Sequence, residues 1–220
     1  MARSRVRARR IPQGINCDFA GSNDPEENRA DRPTVDPDRD LVNDAAGGSR
    51  SAFDTLVLRY QGQVLNLIRA LTAGDTESED LAQEVFIRAW RGIARFRSDS
   101  TFRTWLFGIA INLVRTHRGK RARLRQLFRT RSADDDESTE LERASVDDGI
   151  EAPLAMREAI DSALATLPDA LREAVVLRDV QGLEYLEIAQ ALAIPLGTVE
   201  SRIFRGRQRL RPLLESLRRK

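Results

Sequence analysis

The stretch Asp80–Arg118, DLAQEVFIRAWRGIARFRSDSTFRTWLFGIAINLVRTHR, sets the architecture of this 220-residue chain. It holds both tryptophans, four of the eight phenylalanines and the single histidine. Apolar residues recur at intervals of three and four, the spacing of a buried helical face. They are Leu81, Val85, Phe86, Ala89, Trp90 and Ile93, and then Phe102, Trp105, Leu106, Ile109, Ala110 and Leu113. The stretch therefore predicts two helices joined at the break Arg97–Ser100.

The opposite face of the first helix is charged. Glu84 precedes Arg88 by one turn, a spacing that favours a surface ion pair. Thr76 and Glu79 have capping-box spacing, and Asp80 adds negative charge to the first turn, where the helix dipole favours it. An acidic first turn and an aromatic corner are unusual for an element that only fills a core.

Charge is segregated along the chain, although the net charge is only +2. Residues 115–131 carry eight Lys or Arg and no acid, residues 133–151 carry nine acids and one Arg, and residues 197–220 carry eight bases and two acids. Two basic zones around an acidic one indicate a nucleic-acid binder whose linker is kept off the DNA by charge. The preference for Arg over Lys suits bidentate contacts, though a G+C-rich genome gives the same bias.

Composition excludes several classes of protein. Hydrophobic residues make up 41% of the chain, and no run approaches 18 apolar residues, so we expect no membrane insertion. The basic N-terminus lacks an apolar core, which argues against a secretory signal, and the lone Cys17 fits a reducing cytoplasm. One His and one Cys cannot build a usual zinc site or a Cys–His pair. We expect no catalytic residue, metal or cofactor.

The chain divides into four parts. Residues 1–40 lack periodicity and predict a disordered basic tail, read as a solvated tail rather than a DNA or polymerase contact. Residues 41–125 predict a small helical domain whose first helix covers 49–71. Residues 126–152 form a flexible acidic linker, and residues 153–220 a second helical domain. The predicted fold is all-α, with two small helical domains.

The second domain contains a helix-turn-helix pattern. One helix covers Glu184–Leu192, a turn follows at residues 193–195, and a second helix runs from about Gly197 to Leu210. Ala193 stands where such turns commonly have glycine, and a left-handed alanine costs about 1 kcal/mol. Thr198 is a plausible cap for the second helix.

These residues carry a resemblance to a known family. The run DLAQEVFIRAW from Asp80, followed by F-x-x-W-L-x-x-I-A-x-N from Phe102, resembles the second conserved region of bacterial RNA polymerase sigma factors of the extracytoplasmic-function group. The run GTVESRIFRGR from Gly197 resembles the part of the group that reads the minus-thirty-five promoter element. The resemblance implies an alternative sigma factor that binds core RNA polymerase, directs it to promoters and promotes their opening.

The second helix of the helix-turn-helix would then read duplex DNA in the major groove. By resemblance, Arg202 and Arg205 contact bases or phosphates, and Thr198 and Ser201 contact the backbone. Glu200 accepts a hydrogen bond from cytosine N4 or, equally, serves the helix dipole. Arg207 and Arg211 would hold phosphates or solvate the surface.

The first domain would capture an unpaired base of the minus-ten element in melted single strand. The resemblance implies that Asn112 reads a base edge and that Phe96 lines the pocket. Trp105 either packs between helices, the interpretation we favour, or stacks on a base. Thr116 stands where many relatives carry Asp or Asn, which leaves the minus-ten preference open. The implied set is Phe96, Trp105, Ile109, Asn112 and Thr116.

Two protein partners follow from the same resemblance. The face formed by Asp80, Gln83, Glu84 and Arg88 matches the one that docks on the coiled coil of the polymerase's largest subunit. Without the resemblance, it would pass for a solvated helix face. The acidic linker would thread through the polymerase cleft towards the RNA exit path, and an anti-sigma factor would hold the chain inactive, in a stress or envelope response.

Other functions explain the sequence less well. A free-standing helix-turn-helix regulator would not need an aromatic corner beside a basic helix, which suits single strands better than a ligand sensor. An enzyme would need a phosphate-cradling glycine loop or a catalytic cluster, and the sequence has neither. An interaction adaptor would not need the arginines of the second helix.

Overall fold

The computed structural model describes residues 36–73, 76–131 and 151–217, and these contain helices and turns but no strand. Four helices precede the linker: α1 (Arg39–Ala46), α2 (Arg50–Thr72), α3 (Ser78–Gly92) with a 3₁₀ turn at Ile93–Arg95, and α4 (Phe102–Arg131). Four follow it: α5 (Glu151–Ala165), α6 (Asp169–Val175) with a π turn at Val176–Val180, α7 (Tyr185–Leu192) and α8 (Leu196–Leu217). The all-α prediction is confirmed.

The first group of helices packs around α2 and α4. The side chain of Ser49 caps α2 by accepting from the Ala52 N–H at 3.3 Å, so the helix predicted for 49–71 is confirmed at 50–72. Helix α4 also buries residues that lie outside the predicted apolar stripe. Phe107, Ile111 and Val114 are also buried, because α4 packs against α2, α3 and α7.

The first helix, α1, is a departure from the predicted tail. Asp36 Oδ2 accepts the Phe102 N–H at 2.6 Å and so caps α4 from 66 residues away. Asp38 is buried, accepts from the Tyr60 hydroxyl and pairs with Arg59. Burial, followed by the charge of Asp36, raises the pKa of Tyr60. Residues 36–40 therefore belong to the first group of helices and not to the tail. Residues 1–35, including Cys17, lie outside the described residues.

The second group packs α8 against α6 and α7. Gly206 is buried in this contact, and a Cβ there would lie 2.5 Å from Val175 Cγ2. After α6 the chain forms the π turn, in which the Gln181 N–H donates to Val176 O at 2.9 Å. Gly182 then adopts a φ of 71°, which glycine accommodates without strain. The segment therefore ends at Gly182.

The helix-turn-helix is also confirmed, with one correction at its second helix. Ala193 is left-handed, with φ 54° and ψ 49°. Because α8 begins at Leu196, Thr198 lies inside the first turn, where its N–H donates to Pro195 O at 2.9 Å. Thr198 is therefore not the cap.

The predicted capping box before α3 is wrong. Helix α3 begins at Ser78, and Glu79 pairs instead with Arg69 of α2 at 3.1 Å. A capping box occurs at α7, where the Glu187 carboxylate accepts the Glu184 N–H at 2.9 Å. Asp169 is the first residue of α6 and pairs with Arg118 and Arg172.

The two groups contact each other directly along α4. A Cβ on Gly108 of α4 would lie 3.3 Å from Ala191 O of α7, so the two helices touch at the backbone. Helix α4 continues to Arg131 and α5 begins at Glu151, so helices extend into both ends of the expected linker. Residues 132–150, with their acidic run, lie outside the described residues. None of the described helices is long and apolar enough to span a membrane.

Candidate nucleic-acid interface

Four of the predicted base-capture residues form one stripe on α4. Trp105, Ile109, Asn112 and Thr116 follow one another at four, three and four residues, which places them on one helical face. We call this face the open stripe. Trp105 and Ile109 are half-buried, whereas Asn112 and Thr116 are exposed. The Thr116 hydroxyl donates to Asn112 O at 2.8 Å.

The aromatic end of the open stripe is packed rather than free. The Phe96 and Trp105 ring centroids lie 5.0 Å apart with planes tilted by 38°, and Phe102 lies 5.7 Å from Trp105. A Cβ on Gly92 would lie 3.3 Å from the Trp105 ring, so only a small residue fits opposite it. This geometry favours the packing interpretation of Trp105, with part of its ring left accessible.

The loop between Phe96 and Thr101 leads into this stripe. Arg97, Ser98 and Asp99 are exposed, and Ser98 is left-handed with φ 58°. Thr101 anchors the loop by accepting the Thr104 N–H at 3.2 Å in the first turn of α4. An exposed loop fixed at both ends beside an exposed helical face can hold an extruded base.

A shallow groove of about 380 Å³ continues the open stripe towards the end of α4. Its lining has no acidic side chain and suits phosphate oxygens. The lining residues are Arg115, Thr116, Gly119, Lys120 and Arg123. Arg115 is already engaged, because it forms a bidentate pair with Glu173 at 2.9 and 2.6 Å, and this bonding raises its pKa.

Helix α8 displays the predicted readers of duplex DNA. Glu200 and Arg205 are exposed, while Thr198, Ser201 and Arg202 are partly exposed. The Ser201 hydroxyl donates to the Thr198 backbone carbonyl at 3.0 Å, and both residues lie in the first two turns of the helix. The N-terminal turns are the part of a recognition helix that reaches base edges.

Two arginines of α8 are paired within the chain. Arg207 forms a bidentate pair with Asp179 at 3.1 and 2.5 Å, and hydrogen bonding to Asp179 raises its pKa. Arg211 pairs with Glu215 one turn later at 3.0 Å. The expectation that Arg207 holds phosphate or only solvates the surface is corrected, since it ties α8 to the π turn.

The predicted polymerase face lies on exposed α3. Asp80, Gln83 and Arg88 are exposed, and the predicted pair between Glu84 and Arg88 is confirmed at 2.8 Å. Sequence reasoning missed Ile87, which is 45% exposed between these polar residues. It also missed Phe204 on α8, 63% exposed. Both lie out of phase with the buried positions of their helices, a signal present in the sequence.

Comparison with known proteins places these surfaces in a family. The family model described as Sigma-70 region 2 matches residues 56–124, and the model described as Sigma-70 region 4 matches residues 157–210. The RNA polymerase sigma-H factor of Pseudomonas aeruginosa is 40% identical over 190 residues, which cover 84% of this chain and 97% of that protein. The ECF RNA polymerase sigma-E factor of Escherichia coli K12 is 35% identical over 175 residues, covering 78% of this chain and 91% of that protein. The chain belongs to the extracytoplasmic-function sigma factors.

Two solved structures share the fold of this sigma factor. CnrH, solved in complex with the cytosolic domain of CnrY, is 28% identical with a TM-score of 0.62, covering 82% of this chain and 99% of that one. The sigma factor RpoE of Bartonella quintana, solved with the anti-sigma factor NepR, is 26% identical with a TM-score of 0.59, covering 74% and 96%.

Family membership gives the function. A sigma factor binds core RNA polymerase and directs it to promoters, and this chain is an alternative sigma factor of that kind. The open stripe of α4 lies inside the region 2 match, and the first three turns of α8 lie inside the region 4 match.

Proposed function

We propose that the open stripe of α4, with Phe96, captures an unpaired base of the minus-ten element during promoter opening. The observation that carries this proposal is the alignment of Asn112 and Thr116 on one exposed face that runs into a basic groove. Asn112 reads the base edge, Trp105 and Phe96 provide an aromatic wall, and the groove holds the adjoining phosphates. Base capture offsets an unstacking cost of a few kcal/mol without nucleotide hydrolysis.

Helix α8 reads the minus-thirty-five element in this proposal. Arg205 is its main reader because its guanidinium is exposed, whereas Arg207 is committed to Asp179. Arg202 supplies a second base or phosphate contact, and the hydroxyls of Thr198 and Ser201 contact the DNA backbone. Exposed Glu200 has two roles open to it, as an acceptor for cytosine N4 or as a charge at the helix N-terminus.

The exposed face of α3 docks on core polymerase. Asp80, Gln83, Glu84 and Arg88 share this face, and the Glu84–Arg88 pair fixes two side chains there. Residues 41–125 bind polymerase and the minus-ten element, and residues 153–220 bind the minus-thirty-five element. Residues 126–152 are the linker between them.

Regulation by an anti-sigma factor, in a stress or envelope response, completes the proposal. The B. quintana sigma factor, solved with its anti-sigma factor, supports this assignment. The chain acts in the cytoplasm, where core polymerase works, and is an initiation factor rather than an enzyme in itself. It needs no cofactor of its own.

Run-off transcription on a genomic fragment library tests the function. Purified chain and sigma-free core polymerase are assayed together and separately. Discrete transcripts that require both components, with two short elements upstream of each start site, are the expected result. Transcripts without the chain, or neither transcripts nor co-migration with core, would contradict it. A duplex-DNA shift without polymerase would instead favour a free-standing helix-turn-helix regulator.

A further inference from the structure

A second face of α4, next to the open stripe, is engaged by the second group of helices. We call it the packed stripe: Thr104, Gly108, Arg115 and Arg118. Arg115 holds Glu173 of α6 through two hydrogen bonds, and the Glu173 side chain is only 5% exposed. A bidentate pair with a buried carboxylate is among the stronger and more directional polar contacts in proteins.

Further polar links run along the seam, the line of contact between the packed stripe and the second group of helices. The Thr104 hydroxyl donates to Glu187 of α7 at 3.2 Å, and Arg103 donates to Gln181 O after the π turn. At the other end, Arg118 pairs with Asp169 at 2.6 Å. Every one of these links joins the region 2 match to the region 4 match.

Leu71, near the end of α2, anchors the far end of the seam. Its carbonyl accepts hydrogen bonds from Arg118 and, at 3.0 Å, from Arg172 of α6. Arg172 is buried and also donates to Leu164 O and Leu167 O, both at 2.8 Å. Burial, followed by the charge of Arg118, lowers the pKa of Arg172, so the cluster holds two cations close together.

Gly108 brings the two backbones into contact at the middle of the seam. The space for its missing Cβ is bounded by Ala191 O at 3.3 Å and Ala191 Cα at 3.8 Å. The seam therefore combines a close helix crossing with ion pairs. Polar interfaces between domains are typically separable, because the charged groups regain hydration when the domains part.

The closed arrangement cannot place both promoter readers on DNA. Asn112 lies one turn from Gly108, and only a short segment joins Ala191 to Leu196, so Asn112 lies within about 30 Å of the start of α8. Promoter elements centred about 25 base pairs apart are separated by roughly 85 Å along B-form DNA. Promoter binding through both elements requires α4 and the helix-turn-helix to separate.

We propose that the packed stripe is a self-inhibitory latch, in which the region 4 part of the chain binds the region 2 part directly, without an inserted partner. Binding to promoter DNA through both elements requires the open form, so the apparent affinity for the promoter is scaled by the fraction of chains that are open. This inference rests on the proposed function of the two promoter readers, and the first experiment separates its failure from a failure of that function.

A reversible cross-link tests the latch. Gly108→Cys and Ala191→Cys are introduced together into a chain with Cys17→Ser, because a Cβ on residue 108 would lie 3.8 Å from Ala191 Cα, which puts the two Cα atoms within reach of a disulfide. We expect the thiols to cross-link on mild oxidation, run-off transcription with core polymerase to fall at least tenfold, and reducing agent to restore it. Each single cysteine variant in the same background is the control.

The outcomes of this experiment are distinct. Full transcription by the oxidised chain, with its disulfide confirmed by mass spectrometry, would overturn the latch. Failure of the two thiols to cross-link would also count against it, because the closed state brings the backbones of residues 108 and 191 together. If the latch is overturned while the reduced chain initiates normally, the proposed sigma function stands. A Cys17→Ser parent chain that never initiates would contradict that function instead.

A charge-swap cycle tests the ion pair that holds the latch. Fluorophores at Gln61→Cys of α2 and Gln208→Cys of α8, both exposed positions, report the separation of the two parts in a chain with Cys17→Ser. We expect Arg115→Glu and Glu173→Arg each to lower energy transfer, and the double variant to restore it.

Promoter affinity, measured with core polymerase present, provides the second readout of this cycle. We expect Glu173→Arg to bind promoter DNA severalfold more tightly than the parent and the double variant to return to the parental value. Glu215→Arg, which breaks the Arg211 pair within α8, is the matched control and should change neither quantity. Equal energy transfer and equal affinity across the cycle would overturn the latch.

Discussion

Helix α4 has two neighbouring faces, one packed against the second group of helices and one partly exposed to solvent. The packed stripe and the open stripe are offset by one residue, or about 100° around the helix. In the packed stripe, Thr104 and Arg115 have partners on α7 and α6. In the open stripe, Asn112 and Thr116 face solvent. Sequence periodicity marks Trp105 and Ile109 of the open stripe as inward positions and gives no signal for the packed stripe, which only contacts with the second helical group reveal.

The same contrast recurs on α8. Arg205 is exposed, whereas Arg207, two residues later, is held by Asp179. An arginine-rich helix therefore offers fewer groups to DNA than its composition implies, because some guanidiniums hold the fold together. The groups that remain exposed after internal pairing are the candidates for promoter contacts.

The largest expected effect is that of Asn112→Ala on the open stripe. We expect promoter opening to fall about tenfold to a hundredfold, because one base-edge contact is worth about 1–3 kcal/mol. Affinity for core polymerase and the free energy of unfolding should stay within about 0.5 kcal/mol of the parent. Permanganate footprinting measures the opening.

The control for Asn112→Ala is Asn66→Ala, which removes an exposed asparagine from a different helix, α2, and should have no effect on opening. Normal opening by the Asn112 variant would remove the functional difference between the two stripes of α4.

Next in size is Arg205→Ala on α8. We expect binding to the minus-thirty-five element to weaken about tenfold and to lose sequence preference, because a guanidinium that pairs with guanine contributes about 1–3 kcal/mol. Arg211→Ala removes an exposed arginine from the same helix and is the control. Holoenzyme binding to wild-type and substituted upstream elements measures both. Unchanged promoter selection would mean that α8 is not the reader.

Two glycines of α4 sharpen the comparison of its faces. The Cβ of Gly119→Ala would meet open space, and the variant should gain about 1 kcal/mol of stability from helix propensity. Gly108→Ala should show no such gain, because its Cβ would press on Ala191 O at 3.3 Å. Urea denaturation of both variants measures the difference. Equal gains would show that α7 is not seated on Gly108 in solution.

The smallest effect concerns the turn that fixes α7 against α8. Ala193→Gly should raise the free energy of unfolding by a few tenths to about 1 kcal/mol, because the residue is left-handed and glycine has no Cβ to strain there. Ala122→Gly, on an exposed right-handed turn of α4, should lower stability instead. Thermal unfolding monitored by circular dichroism compares the two. A loss at Ala193 would contradict the left-handed turn.

Local pattern predicted the helices well, because apolar spacing and breaks such as Arg97–Ser100 act within a few residues of each other. The turn at residues 193–195 and the Glu84–Arg88 pair followed from the same short-range logic and are confirmed. Those features lie within one helix or one turn, where spacing alone determines which side chains meet.

Long-range pairing was not predictable in this way. The Arg115–Glu173 pair joins residues 58 positions apart, and the Arg207–Asp179 pair joins residues 28 apart. Neither partner can be chosen from a sequence with many acids and many arginines. The buried Gly206 carries no local signal either, because the need for it arises from how closely α8 approaches Val175.

The cap that Asp36 places on α4 bears on how the region 2 fold can be isolated as a fragment. A polypeptide trimmed at residue 41, the boundary that periodicity suggests, loses both Asp36 and Asp38. The Phe102 N–H then loses its acceptor at the start of α4, and the Tyr60 hydroxyl loses its carboxylate. A fragment that begins at residue 35 or earlier keeps both, so protease resistance of the isolated domain depends on a few residues that look like tail.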